Sequence, residues 1–143
     1  SDFISNSDVV VRPHPLLDIE EYKRKVPNNW SLNSTDSLEK QFEYASIVLV
    51  SGSGTALEAI VKGKSVIILG NKNTFTTNPL SPELGRGLIW DEVYSSQELD
   101  LSIEKMLNIR MNKINEISLL ADKYLNKYFI KPTEENIIKT FIK

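Results

Sequence analysis

Apolar residues fall in two patterns along the chain: short continuous runs in the first half, and positions three and four apart in the second. Continuous β-branched runs of about four to eight residues read as buried strands, and the wider spacing reads as helices packed by one face. Asp8-Val9-Val10-Val11-Arg12 is apolar on successive residues, as a strand covered on both faces would be. Pro13-His14-Pro15 ends it, because proline brings no N–H to a ladder. Leu17 to Lys25 reads as a short helix, and Asn28-Asn29-Trp30-Ser31-Leu32 as a turn running into a brief strand. Asp36-Ser37-Leu38-Glu39 has the form of a capping box and predicts a helix to about Ala45. Ser46 to Val50 is uncharged and strongly β-branched, the clearest strand of the chain. After Ser51-Gly52-Ser53-Gly54, the residues Leu57, Ile60 and Val61 share one face of a helix over Thr55 to Lys62, which Gly63 closes as a left-handed cap. Lys64 to Leu69 is another buried-strand run, and Gly85 to Asp91 offers a short further strand. Leu99, Ile103, Met106 and Leu107 mark one C-terminal helix, and Ile114, Ile117, Ala121, Tyr124, Leu125 and Tyr128 a second. Lys131-Pro132 breaks before a last helix at Glu134 to Ile142. Strands joined by helical connectors of this length pair in parallel through right-handed crossovers. The expected fold is therefore α/β: a Rossmann-like three-layer sandwich with a parallel sheet and a helical C-terminal tail.

Composition narrows the functional classes. The chain has 143 residues, 41% apolar and 25% charged, which suits one domain with a core of its own. Seventeen Lys plus Arg against nineteen Asp plus Glu give a net charge of -2, so nothing draws it in bulk to nucleic acid or to an anionic membrane. Without cysteine there is no disulfide framework, zinc-thiolate site or cysteine nucleophile. No apolar run approaches the roughly 20 residues that span a bilayer, and no cleavable signal opens the chain, so a cytoplasmic setting is expected.

Ligands of open parallel sheets bind beyond the carboxyl ends of the strands, where loops and helix N-termini converge. Three segments are expected on that edge: Arg12-Pro13-His14-Pro15, Ser51-Gly52-Ser53-Gly54-Thr55 and Gly70-Asn71-Lys72-Asn73. The Ser/Gly segment is the most informative. A strand that turns through two glycines into a helix leaves the first-turn N–H groups outward, with the positive end of the helix dipole behind them. Ser51, Ser53 and Thr55 add hydroxyls, and Gly52 and Gly54 permit close approach of a phosphate. The plainer reading is a tight turn with a Thr55–Glu58 capping box. Glu58 offsets part of the positive field, or accepts hydrogen bonds from ribose hydroxyls. The segment lacks the third glycine of the dinucleotide fingerprint and the Lys-Ser/Thr of a Walker loop. A nucleophile elbow would need a histidine after the serine, and the chain's single histidine is His14. Held between prolines, His14 has a narrow backbone range and suits a group that donates to a phosphate or stabilises a leaving group, or else a rim histidine bonded to backbone. Arg12 reads as a phosphate clamp or as a solvated strand-end charge. Asn71 and Lys72 are weaker candidates, since such residues are common in loops.

Val9 to Pro15, Ser34-Thr35, Ala45 to Ala59 and Gly63 to Gly70 together resemble the C-terminal nucleotide-binding half of GT-B glycosyltransferases. The likeness is greatest to bacterial capsule and surface-polysaccharide enzymes: Kdo transferases, sialyl- and polysialyltransferases, and CDP-glycerol glycerophosphotransferases. It covers about half of the chain, roughly Val9 to Gly70. The resemblance implies that His14, with Pro15, and Ser51, Ser53 and Thr55 hold the phosphate of a cytidine-nucleotide donor, with Ser34 and Thr35 near the nucleoside. It implies an inverting, metal-independent transfer with His14 as the catalytic group and a CMP- or CDP-linked sugar as ligand, and no other cofactor. UDP-N-acetylglucosamine 2-epimerases share the layout and would place UDP there, and a non-catalytic interaction domain of the same fold is the third reading. A GT-B enzyme needs two such domains, so residues 1–143 are expected to be one nucleotide-binding domain excised from a longer protein. Its partner would be the N-terminal acceptor domain of that protein, which could also bring it to the inner face of the membrane. Alone, it is not expected to turn over.

Overall fold

The computed structural model describes residues 4, 7–14, 16, 18–73, 77–130 and 133–141. Strands β1 (Val10–Val11) and β2 (Ser31–Leu32) pair in parallel, Val10 opposite Ser31 and Val11 opposite Leu32. Helix α1 (Ile19–Lys25) lies between them in sequence. Asp18 caps it by accepting the Glu20 N–H at 2.9 Å, and Glu20 and Glu21 in the first turn face Lys23, Arg24 and Lys25 in the last, a charge order that suits the helix dipole. None of its residues is buried.

Helix α2 (Leu38–Tyr44) starts one position later than the capping-box pattern places it: Ser37, not Asp36, is the N-cap, accepting the Lys40 N–H at 3.2 Å. Asp36 pairs instead with Lys40 Nζ at 2.8 Å, and Glu39 with Lys62. A second parallel sheet follows, in the order β3 (Ile47–Val50), β4 (Ser65–Leu69), β5 (Trp90–Val93). Ile68 of β4 lies opposite Val50 on one side and Glu92 on the other. The β3–β4 crossover is helix α3 (Thr55–Val61), closed by Gly63 at φ +69°, the left-handed cap the sequence asks for. Strand β5 begins after the expected Gly85 to Asp91 run has largely passed, because Gly85 and Gly87 take φ of +77° and +75° and turn the chain before it can pair. Helices α4 (Ser96–Asn112), α5 (Ile114–Tyr128) and α6 (Glu134–Phe141) complete the chain close to the periodicity that predicts them.

The core is organised around β4, whose Ser65 to Ile68 are fully buried. Val66 and Ile68 pack with Phe42 of α2, Ala56 and Ile60 of α3, and Ile117, Ala121 and Tyr124 of α5. Ile67, from the opposite face, packs with Val93 and with Ile103 and Met106 of α4. Alternate residues of one strand thus serve two clusters, which is why the run is apolar without a break. Each fully buried Ile or Val contributes about 1.5–3 kcal/mol relative to exposure.

The expectation of one sheet covered on both faces fails at β1. Two sheets form, β1–β2 and β3–β4–β5, and Val10 is 56% exposed. Strand β1 is two residues long and pairs with β2 alone, while α1 buries nothing that could cover it. The chain is accordingly α/β with two small parallel sheets. Among the described residues no helix is long and apolar enough to cross a membrane.

Tyr124 ties the α5 side of the core to the turns before β5: its hydroxyl donates to the Leu84 carbonyl at 2.8 Å. Its companions Tyr128 and Phe129 are 38% and 41% exposed, so only the first of these aromatics is a core residue. Burial pushes the Tyr124 phenol up to about 12. An unfolded tyrosine ionises near pH 10, so the native state holds this proton more tightly. Its contribution is whole below about pH 10 and is lost as pH rises through about 12. The urea midpoint should fall across that window, by a change worth on the order of 1–2 kcal/mol. Tyr124→Phe should flatten the fall, and an unchanged pH profile in that variant would exclude Tyr124 as its source.

Candidate functional site

Strand β3 delivers the chain to Ser51-Gly52-Ser53-Gly54, where Gly52 takes φ +71°, a conformation a side chain would resist. The Ser53 hydroxyl lies 3.1 Å from Thr55 Oγ1, to which it donates, and accepts the Thr55 N–H at 3.2 Å. The Ser53 carbonyl takes the Ala56 N–H, and the Gly54 carbonyl takes those of Leu57 and Glu58. Two expectations change. The first-turn amides of α3 do not point outward free, because the tight turn engages them internally. The Thr55–Glu58 capping box does not form either: Gly54 is the N-cap, without a side-chain cap bond, and Thr55 is already helical. The donors left over lie one step earlier. Among the described residues, the N–H groups of Gly52, Ser53 and Gly54 have no acceptor. Consecutive amides around a left-handed glycine make a concave nest that favours an anion. Ser51 and Ser53 are exposed beside it, as is Glu58 one turn into the helix.

On the other sheet, the carboxyl ends of β1 and β2 meet through a turn. Asn33 Oδ1 accepts the N–H of Thr35 and of Asp36 at 3.2 and 3.1 Å and the Thr35 hydroxyl at 3.3 Å. Arg12 donates from Nη1 to the Asp36 carbonyl at 2.6 Å. Arg12, Ser34 and Thr35 are therefore brought together, but this donor of Arg12 is spent on holding the turn. The hydrogen bond from Lys40, with that from Asn33, keeps the Asp36 carboxyl below its usual range. Asn33, which organises all of this, was legible as the first residue of Asn33-Ser34-Thr35-Asp36, a sequence that favours an Asx turn.

His14 is exposed, and its Nδ1 accepts the Leu16 N–H at 3.2 Å. With Nδ1 engaged as acceptor, Nε2 is the nitrogen left to donate to a ligand. Pro13 is buried, and Pro15 lies outside the described residues. Among the described residues no hydrogen bond or ion pair joins His14 to the Ser51–Thr55 turn.

At the end of β4, Asn71 Oδ1 accepts the Asn73 N–H at 2.8 Å and Lys72 Nζ stands 6.0 Å from the centre of the Tyr94 ring. A Cβ on Gly70 would meet Tyr94 Cδ1 at 2.8 Å, so glycine is what lets the ring lie against the strand end. Tyr94 remains 42% exposed at the carboxyl end of β5, a flat apolar surface on the same edge as the Ser51–Thr55 turn. A hydrogen bond with Glu92, reinforced by partial burial, raises its phenol above the ordinary value. Sequence reasoning missed Tyr94 because it displaced β5; the Gly70–Tyr94 approach joins residues remote in the chain.

No family model, curated protein or solved structure matches the chain.

Two concavities are lined by other residues. One, of about 590 Å3, lies on α4 among Leu101, Lys105, Leu107 and Met111. The other, of about 450 Å3, lies between the end of α3 and the α4–α5 corner. Among the described residues no three His, Asp or Glu side chains gather to hold a metal ion.

Proposed function

We propose that the chain is the donor-binding domain of a bacterial surface-polysaccharide glycosyltransferase of the GT-B kind, taking a CMP- or CDP-linked sugar. The observation that carries this reading is the Ser51–Thr55 turn: three amides without acceptors, Gly52 in the left-handed region, and exposed hydroxyls at the carboxyl edge of a parallel sheet. In this role the amides of Gly52, Ser53 and Gly54 receive the donor phosphate, and His14 Nε2 stabilises charge on the departing nucleotide. Tyr94 supplies a face on which the base stacks, and Asn71, two residues past β4, lies on the same strand-end edge. Arg12 acts indirectly, by setting the Ser34–Thr35 turn. In the same reading the acceptor site lies in a separate N-terminal domain of a longer protein.

A second reading, a non-catalytic interaction domain of the same fold, is favoured by one observation: among the described residues no hydrogen bond or ion pair joins His14 to the Ser51–Thr55 turn. Calorimetry separates the two. The donor reading expects CMP or CDP to bind, and His14→Ala or Ser53→Ala to weaken binding about three- to tenfold, as loss of one hydrogen bond does. In the complete enzyme the transfer rate should fall further, about 100-fold per well-placed donor removed. No heat with any cytidine or uridine nucleotide would overturn it, and preference for UDP would move the assignment to an epimerase-like domain.

A further inference from the structure

The concavity of about 450 Å3 at the end of α3 is at the amino ends of the strands, where the nucleotide reading places nothing. Lys62, Lys64 and Arg110 line it, with Ser118 and a single carboxylate, Asp122. Lys62 is occupied by Glu39. Arg110 is half-buried and donates from Nη1 to the Gly63 carbonyl at 2.9 Å and toward the buried Ser65 hydroxyl at 3.5 Å, which anchors the guanidinium at the last turn of α3. Lys64 is half-buried beside it. Among the described residues no carboxylate comes within 4.0 Å of the charged nitrogens of either. Of the two nearby acids, Glu43 acts on Lys64 only at a distance, and Asp122 sits in the lining without pairing with either.

We infer that Lys64 and Arg110, with the Ser118 hydroxyl, form a second anion site that accepts a phosphate group. Two cations that line one concavity and are partly withdrawn from water repel each other, and a bound dianion relieves both at once. Their own ionisation agrees: burial lowers the pKa of each, and the charge of Arg110 lowers Lys64 further. A guanidinium anchored through one nitrogen has further N–H groups for a phosphate, and a flexible ammonium completes the contact. Inorganic phosphate and the phosphate of a small phosphorylated metabolite share this chemistry.

The test is a titration of the isotope-labelled chain with inorganic phosphate, a sugar phosphate and acetate at constant ionic strength, followed by amide NMR. The expected result is saturable shifts at Gly63 to Ser65, Arg110 and Ser118 whose midpoint is fitted apart from any shift at Gly52 to Gly54, so that this site and the nucleotide site are judged separately. Lys64→Gln should weaken phosphate binding at least threefold, and Asp122→Asn should tighten it about twofold, a gain that a merely structural role would not produce. Tighter binding of either phosphate arm names the source. Non-saturable shifts, equal affinity for acetate, or unchanged affinity in Lys64→Gln would overturn the inference.

Discussion

Replacing Trp90 with alanine is expected to remove about 3–5 kcal/mol of stability, a large share of the roughly 5–15 kcal/mol that holds a domain folded. Trp90 is wholly buried, opens β5 opposite Val66, and carries Arg86 over its ring at 5.6 Å. Its indole N–H donates to the Leu84 carbonyl at 2.9 Å, the same oxygen that accepts the Tyr124 hydroxyl at 2.8 Å. One partly buried carbonyl therefore spends both lone pairs on aromatic donors from β5 and α5. Trp90→Phe keeps most of the ring but loses the donor, and Tyr124→Phe loses only the hydroxyl; each bond removed should cost about 0.5–1.5 kcal/mol. The double variant should cost more than their sum, because only it leaves the Leu84 oxygen with neither donor. Contacting pairs of this kind couple by about 0.5–3 kcal/mol. Urea denaturation of the native chain and the four variants measures all of these quantities. A loss under about 1 kcal/mol for Trp90→Ala would show that the core does not depend on this side chain, and strict additivity would show that the shared carbonyl does not link the pair.

The sequence makes the second half of the fold legible because its signals are local. The caps at Gly63 and the apolar stripes of α4 and α5 need no knowledge of distant residues, and they appear close to where the pattern places them. The run at Val9 to Val11 carries the same β-branched signal as Ile47 to Val50, yet yields only a two-residue strand with an exposed valine. Strand length depends on what pairs and what covers, and β1 has one partner while β4 has two. The β5 shift has a similar cause: Trp90 to Val93 reads as mixed polar and apolar, and only the neighbouring β4 makes it a strand.

The site shows the same division. Ser51 to Thr55 is recognisable as a turn into a helix, but which amides it leaves free depends on φ at Gly52 and on where Ser53 points. A seven-residue helix whose first N–H groups are used internally lends little dipole to an anion, so the nest before it matters more. Which nitrogen of His14 faces a ligand follows from one bond to Leu16, two residues away, which composition could not supply.

Gly85→Ala should cost about 2–5 kcal/mol, the second large effect, and its comparison with Gly63→Ala explains why. Both glycines are left-handed, with φ of +77° and +69°, so each pays a similar backbone penalty of about 1–2 kcal/mol when a Cβ is added. Around Gly63 that Cβ meets nothing within 4 Å. Around Gly85 it meets Ile89 Cγ2 at 2.8 Å and the Leu120 methyls at 3.1 and 3.3 Å. Ile89 is fully buried and Leu120 packs against the same core, so neither can retreat without disturbing the contacts of α5. Overpacking of this kind adds about 1–3 kcal/mol. The Gly85 carbonyl also accepts the N–H of Leu88 and of Ile89, at 3.0 and 2.9 Å, so a shift of its backbone would loosen the turn that starts β5. Thermal or urea denaturation of the two variants gives the difference directly. Equal losses would mean that the cost is all in the backbone and that the Ile89–Leu120 contact yields freely. A larger loss at Gly85 locates the constraint in the packing that joins the turn to α5, the junction that Trp90 and Tyr124 close from either side.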